Sequence, residues 1–229
     1  MSPIRNGQDR QITVGLDIGA NSIICAIGQI IPDTKRLKLL GISTVQSSGI
    51  RRGTITHRNE LIEKLEMAMS EAETMANIKI TKAILSITGD HIRCLNTQAA
   101  IALNRASGGP GGITERAIQD EDIYQVLDLA QAVSLPVDRD ILHTLPQEYL
   151  VDTLEEIKNP IGMTGRRLEG RVHLVTAATT AMNNLVSCVE ELGITVDGLV
   201  FQPLASALAT LHEDEMELGV TLVEIGSST

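Results

Sequence analysis

Apolar residues recur along this chain in two rhythms, short extended runs and helical stripes, and their alternation fixes the elements the sequence predicts. Ile12–Leu16 reads as a strand, Asp17–Asn21 as a tight turn, and Ser22–Ile31 as a second strand rich in Ile and Ala. Pro32–Lys35 is a turn, and Leu37–Val45 completes a three-stranded antiparallel meander. A loop with an arginine doublet between two glycines, Gly49–Gly53, leads to a short strand. It reads either as a solvated loop or as a contact near a ligand cleft. Glu60–Ala76 is a helix by the spacing of Ile62, Leu65, Met69, Ala72 and Ala76, with Asn59 placed to cap it. Lys82–Thr88 is the next strand, closed by Gly89-Asp90.

The texture then changes. The middle of the chain predicts a strand at Ile92–Leu103, a glycine-rich loop at Arg105–Gly112 and an amphipathic helix at Asp120–Val133. Two further strands, Asp140–Leu145 and Pro146–Asp152, precede a turn-rich loop at Lys158–Arg167 and a strand at Leu168–Thr176. This reads as an inserted β-α-β-β module. Thr179–Leu192 is a helix with the stripe Met182, Leu185, Val189, Leu192, stopped by Gly193. A strand at Ile194–Phe201 and a helix at Leu204–Leu211, with Pro203 in its first turn, follow. His212–Glu217 is read as an acidic loop, and Gly219–Thr229 as a last strand and turn. Without the middle module the order is β-β-β-α-β-α-β-α. That is an α/β, ribonuclease-H-like half-domain, whose first hairpin tip lies at the ligand end of the sheet.

Composition narrows the chemistry. Of 229 residues, 43% are apolar but only 1% aromatic, so the core is aliphatic and stacking platforms for bases are nearly excluded. A net charge of −10, with isolated basic doublets, argues against nucleic acid and against an anionic lipid surface. Three distant cysteines without a Cys-x-x-Cys give neither a disulfide framework nor a zinc site, and fit a reducing cytosol. The polar Met1–Arg10 has no signal-peptide core, and no apolar run reaches membrane-spanning length.

Two stretches carry candidate chemistry. In Asp17-Ile18-Gly19-Ala20-Asn21 an acidic residue ends a strand beside a small-residue turn, whose successive N–H groups form an anion-binding concavity. Gly19 and Asn21 suit positive φ in such a turn. A lone carboxylate beside a phosphate cradle requires a cation between the two, which is a Mg²⁺ arrangement with Asp17 acting through water. The pattern returns in Glu224-Ile225-Gly226-Ser227-Ser228-Thr229. Two such tips predict a split nucleotide site, one loop from each of two half-domains.

With these tips, the element order resembles the actin/Hsp70/sugar-kinase superfamily. Three segments narrow the resemblance: Ser48-Gly49-Ile50-Arg51-Arg52-Gly53, Ile141–Tyr149 and Asn159–Glu169 are similar to the bacterial cell-division FtsA family, over essentially the whole chain from Ile12. The resemblance implies an actin-like protein that binds ATP with Mg²⁺, polymerises, and tethers the FtsZ ring to the inner face of the cytoplasmic membrane at the division site. It implies weak or no ATPase activity. Residues 1–89 and 173–211 would form the discontinuous subdomain 1A, residues 90–172 the inserted subdomain 1C that meets other divisome proteins, and residues 212–229 the start of the second half. Asp17 would hold Mg²⁺. Gly19, Ala20 and Asn21, with Glu224, Gly226, Ser227, Ser228 and Thr229, would contact phosphate, and Thr176–Thr180 would border the terminal phosphate. No catalytic residue is assigned.

The departures from that family's second loop are Glu224 for Asp, and Ser227 and Ser228 for glycines. In the first loop Ala20 stands where a hydroxyl residue is common. The second half-domain, the adenosine pocket, the FtsZ-binding subdomain and the amphipathic membrane helix of the family are expected beyond residue 229. This stretch alone is accordingly expected to bind ATP no more tightly than millimolar. Three alternatives differ in class: a PilM-like pilus-assembly homologue, a metabolic kinase, for which no carboxylate base is found, and a non-enzymatic interaction module.

Overall fold

The computed structural model describes residues 11–32, 36–103, 105–106, 113–114 and 116–227. The chain opens with β1 (Gln11–Ile18), β2 (Ser22–Ile31), β3 (Arg36–Gln46), β4 (Ile50–Arg51) and β5 (Thr54–Ile55). Then come α1 (Arg58–Ala76), β6 (Lys82–Ile87), β7 (Arg93–Ala102) and three short pieces, β8 (Arg105–Ala106), β9 (Ile113–Thr114) and β10 (Arg116–Ala117). Next are α2 (Asp120–Gln131), β11 (Arg139–Val151), β12 (Leu154–Ile157), β13 (Thr164–Gly165) and β14 (Arg167–Ala178). The chain closes with α3 (Thr179–Glu190), β15 (Thr195–Phe201), α4 (Gln202–Thr210) and α5 (Glu213–Leu218). Two compact units result, one of residues 1–91 with 179–229, the other of residues 92–178.

In the first unit a five-stranded sheet has the order β15-β6-β1-β2-β3. The meander β1–β3 is antiparallel, while β6 runs parallel to β1 and β15 parallel to β6. Alternation follows the pleat: Val14, Leu16 and Ile18 on β1 and Ile23, Cys25 and Ile27 on β2 are buried together. α1 covers this face through Leu61, Leu65, Ala68, Met69 and Ala72, so Leu61 leads the stripe in place of Ile62. It lies directly on β3: Ser43 Oγ donates to the Ala68 carbonyl at 2.5 Å, and a Cβ on Gly41 would come within 2.6 Å of the Ala72 carbonyl oxygen. The cap of α1 is His57, which makes no side-chain cap bond; Asn59 lies inside the first turn. Arg58 does the fastening instead. It donates to Glu191 at 2.6 Å, to the Ser187 carbonyl at 3.2 Å and to Cys188 Sγ at 3.0 Å, tying the start of α1 to the end of α3.

Two expectations for the tail are corrected. His212–Glu217 is not an open loop: α5 forms there, with Glu215 accepting from the His212 N–H at 2.9 Å as a capping box. Gly219–Ser227 is not a strand. No neighbouring strand among the described residues offers it a ladder, and without one the apolar run Val220–Ile225 stays exposed and irregular. The expected turn at Pro32–Lys35 falls largely outside the described residues, as does most of the glycine-rich loop.

In the second unit the four-stranded sheet has the order β12-β11-β14-β7, with α2 across one face. On α2, Val126 is fully buried in a cluster with Ile101, Tyr149 and Leu168, and Ala130 in a second cluster with Val172 and Leu174. The two strands expected on either side of Pro146 are one, β11. Pro146 sits at a register shift against β14, and β12 begins pairing only at Tyr149, so the missing N–H interrupts no inner ladder. β14 pairs with β7 and β11 as far as Thr176 and Ala178, which carries this unit six residues past the boundary at 172 read from the sequence. At its base, Arg116 grips Asp122 with both terminal nitrogens, and Asp122 also accepts from the Gln119 N–H at 2.9 Å.

Candidate functional site

The turn Gly19–Ser22 closes β1 onto β2, with Ile18 opposite Ile23. The Gly19 N–H donates to the Ser22 carbonyl at 3.0 Å, and a Cβ at Gly19 would stand 3.0 Å from that same oxygen. Neither Gly19 nor Asn21 has positive φ. Glycine is therefore favoured here by close approach, not by handedness, which corrects the expectation from the sequence. Because its N–H is consumed by the turn, Gly19 has none to offer a ligand. The amides of Ala20 and Asn21 find no acceptor among the described residues and are the donors this tip presents.

Asp17 is placed by the sheet. The parallel register of β1 with β6, Gly15 opposite Ile84 and Leu16 opposite Leu85, sets Ser86 beside Asp17, and Ser86 Oγ donates to Asp17 Oδ1. On the far side of β6, β15 leads into α4. From α4, Gln202 Nε2 and Ser206 Oγ (3.2 Å) both donate to Glu224 Oε1.

These pieces line one cleft of about 320 Å³: Asp17–Ser22 on one side, Glu224–Ser227 on another, with Gly53, Thr88 and Gln202 between. The two acidic-x-Gly tips thus meet, although some 200 residues separate them. The Arg52–Gly53 turn supplies a third wall. Arg52 and Gly53 both have positive φ (50° and 74°), the Asp90 N–H donates to the Arg52 carbonyl at 3.3 Å, and Arg52 pairs loosely with Asp90 at 3.5 Å.

The lining holds two carboxylates and no lysine or arginine. A polyphosphate would enter it only together with a divalent cation, so the donor set fits Mg²⁺ carried in by a nucleotide. Among the described residues no three metal-ligating side chains form a cluster that would hold an ion unaided. The volume lies within the range of small-molecule sites.

Of the residues read from the sequence, Asp17, Gly19, Ala20, Asn21, Glu224, Gly226 and Ser227 come together, while Ser228 and Thr229 lie outside the described residues. Thr176 does not join them. It is buried in the second unit's sheet, where Arg139 donates to its carbonyl at 2.9 Å and its hydroxyl donates to the Arg93 carbonyl at 3.1 Å. Ser86, Thr88, Gln202 and Ser206 are new. The only sequence signal of the first three is position, at the C-terminal end of a strand or the start of the following helix, where open α/β sheets collect ligands; Ser206 lies one turn further along α4.

Comparison with known proteins agrees with this architecture. Residues 89–176 match the family described as the SHS2 domain inserted in FTSA. The chain is 40% identical over 222 residues to the cell division protein FtsA of Pseudomonas aeruginosa, covering 97% of this chain and 51% of that relative. It is 34% identical over 221 residues to its counterpart in Escherichia coli K12, covering 96% and 50%. The chain therefore spans about half the length of the curated relatives it matches. Among solved structures, the PilM-PilN type IV pilus biogenesis complex aligns with a TM-score of 0.57 at 12% identity, covering 86% of this chain and 49% of that one, a likeness of fold alone.

Proposed function

This chain belongs with the FtsA cell-division proteins along nearly all of its length, and from that premise we propose that it is the part of an actin-like, ATP-binding division protein that carries both phosphate loops. The observation that supports this reading best is the convergence of Asp17–Asn21 and Glu224–Ser227 on one cleft devoid of basic side chains. ATP would enter with Mg²⁺. The amides of Ala20 and Asn21 would hold phosphate oxygens, and Asp17, steadied by Ser86, would orient the metal's water shell. The bound metal would supply charge neutralisation. Slow or absent turnover is part of this reading by likeness to the family, and no residue of the cleft is assigned as a general base.

In the whole protein, nucleotide binding would serve assembly into filaments and attachment of FtsZ to the inner face of the cytoplasmic membrane. Residues 92–178 would meet other division proteins. Among the described residues no helix is long and apolar enough to cross a membrane.

The test is calorimetric titration of ATP, with and without Mg²⁺, into the chain extended to the length of its relatives. Magnesium-dependent micromolar binding that Asp17→Ala weakens at least tenfold is the expected result. Equal affinity in the two proteins would refute the site. Co-sedimentation of the same protein with FtsZ separates the division role from a pilus-assembly one.

A further inference from the structure

The second loop is attached to the fold in an unusual way. Residues Gly219–Ser227 form neither helix nor strand, and every one of them is exposed. Burial holds the segment only in part: Val220 and Leu222 are about half covered, while Val223 and Ile225 keep 73% and 88% of their surface. The backbone does not hold it, since its amides and carbonyls from Val220 to Ser227 bond to nothing else among the described residues. The hydrogen bonds that fasten it, among the described residues, are those of the Glu224 carboxylate with Gln202 and Ser206.

Those two donors are four residues apart on α4, hence on one face of the helix, and both reach the same oxygen, Oε1. Gln202 stands where β15 passes into α4, and its side chain also lines the cleft. Glutamate matters here for its length. An aspartate at 224 would fall short of α4 by about one carbon–carbon bond, ~1.5 Å, and a hydrogen bond stretched that far is lost. The departure at Glu224 and the pair Gln202/Ser206 make sense together.

We propose that Gln202 is the positioning residue of the second loop: its amide, seconded by the Ser206 hydroxyl, latches Glu224 to α4 and so sets the second loop across from the first before any ligand arrives. Oε1 is occupied by the latch, which leaves Oε2 to face an incoming cation. Glu224 is thus a tether first and a metal-facing group second. That the tethered loop receives a polyphosphate rests on the function proposed above; the tether itself does not.

The experiment is ¹⁵N relaxation on the 229-residue chain, reading backbone order parameters of residues 220–226 in the ligand-free protein. The expected values are those of an ordered backbone in the parent, about 0.8, falling below about 0.6 in Gln202→Leu and in Glu224→Ala. Ser206→Ala should fall part of the way. Gln202→Glu, which sets two carboxylates against each other, should release the loop as fully as Gln202→Leu. The exchanged pair Gln202→Glu with Glu224→Gln restores an amide facing a carboxylate and should return the order, which a change in fold stability alone would not do. Unchanged order in Gln202→Leu, or no recovery in the exchanged pair, would overturn the latch. Adding inorganic pyrophosphate with Mg²⁺ to the parent keeps the two readings apart. Shifts at the Ala20 and Asn21 amides bear on the phosphate site, and their absence would count against that site while the order parameters still decide the latch.

Discussion

Gly53 lies so close to the carbonyl oxygen of Thr88 that a Cβ on it would come within 2.0 Å of that atom. Gly89 returns the contact, since its own Cβ would fall 2.4 Å from the Arg52 carbonyl oxygen. The two backbones touch face to face, and both Gly53 and Thr88 line the cleft. Gly53→Ala must therefore push the turn off the strand end, in addition to straining a residue at φ 74°. The expected cost is about 2–4 kcal/mol of first-unit stability, read as a lowered urea midpoint by circular dichroism. Gly162→Ala, also at positive φ but with open space around it, should cost only about 1 kcal/mol. Equal losses would mean that the close approach is not what fixes the turn.

Ser86 holds one oxygen of Asp17, and the prediction there separates placement from stability. Ser86→Ala deletes a single part-buried hydrogen bond, worth about 1 kcal/mol. In the lengthened chain it should weaken ATP binding chiefly when Mg²⁺ is present, because Asp17 loses its fixed orientation. Titrations in Mg²⁺ and in chelator, run side by side, check this. An equal effect in both would assign Ser86 to packing rather than to the metal side of the cleft.

What could be read from the chain and what could not divides along one physical line. The meander strands, α1 to α4 and the second βα unit follow from local period, so the strands of Ile12–Val45, most of the α1 stripe and Pro203 at the start of α4 were legible, while the short α5 was not. The two loop tips were legible as turns with an acidic residue. Their meeting depends on β6 lying parallel beside β1 and on β15, which leads into α4, lying parallel beside β6, and those are pairings between distant strands that no local pattern encodes. Ser86 and Gln202 take their roles only from that adjacency. Gly19 shows a subtler limit. The residue type was the right signal, but its reason, contact with the Ser22 carbonyl, is visible only in three dimensions.

Acid should act on the second unit through Asp122. Its side chain is only 5% exposed, and the bidentate Arg116 guanidinium holds its carboxyl below the usual carboxylate range, with the Gln119 N–H helping against the cost of burial. A carboxyl depressed in the folded state contributes stability that is whole above its unfolded pKa, about 3.9, and is lost as pH falls through the folded value. The second unit should thus weaken below about pH 4, and Asp122→Asn should flatten that slope. Arg116→Ala leaves the carboxylate buried without its partner and should cost about 2–4 kcal/mol at neutral pH. The protein has no tryptophan, and both tyrosines, Tyr124 and Tyr149, belong to this unit. Tyrosine emission therefore follows its unfolding selectively. A melting curve insensitive to pH between 5 and 2.5 would contradict the role given to this pair.

Thiol chemistry offers a check on the packing of both units at once. Cys25 and Cys188 are completely buried in the first unit, and Cys94 is exposed on β7 in the second. Burial, aided by the charge of Glu73, pushes the Cys25 thiol up to about 11, so at pH 8 almost none of it is thiolate. Cys188 is also raised by burial, against the opposing pull of Arg58. Cys94 carries a milder upward shift from partial burial and should react more slowly than a free thiol, yet well ahead of the other two. Iodoacetamide at pH 8 should accordingly add to the native protein once, at Cys94, and to the urea-unfolded protein at all three cysteines. Arg58→Ala removes the bonds that tie α1 to α3 over Cys188, so that thiol should become the second to react while Cys25 stays protected. Intact-mass spectra over time give the order directly. Early modification of Cys25 would mean that α1 does not close on β2 as described.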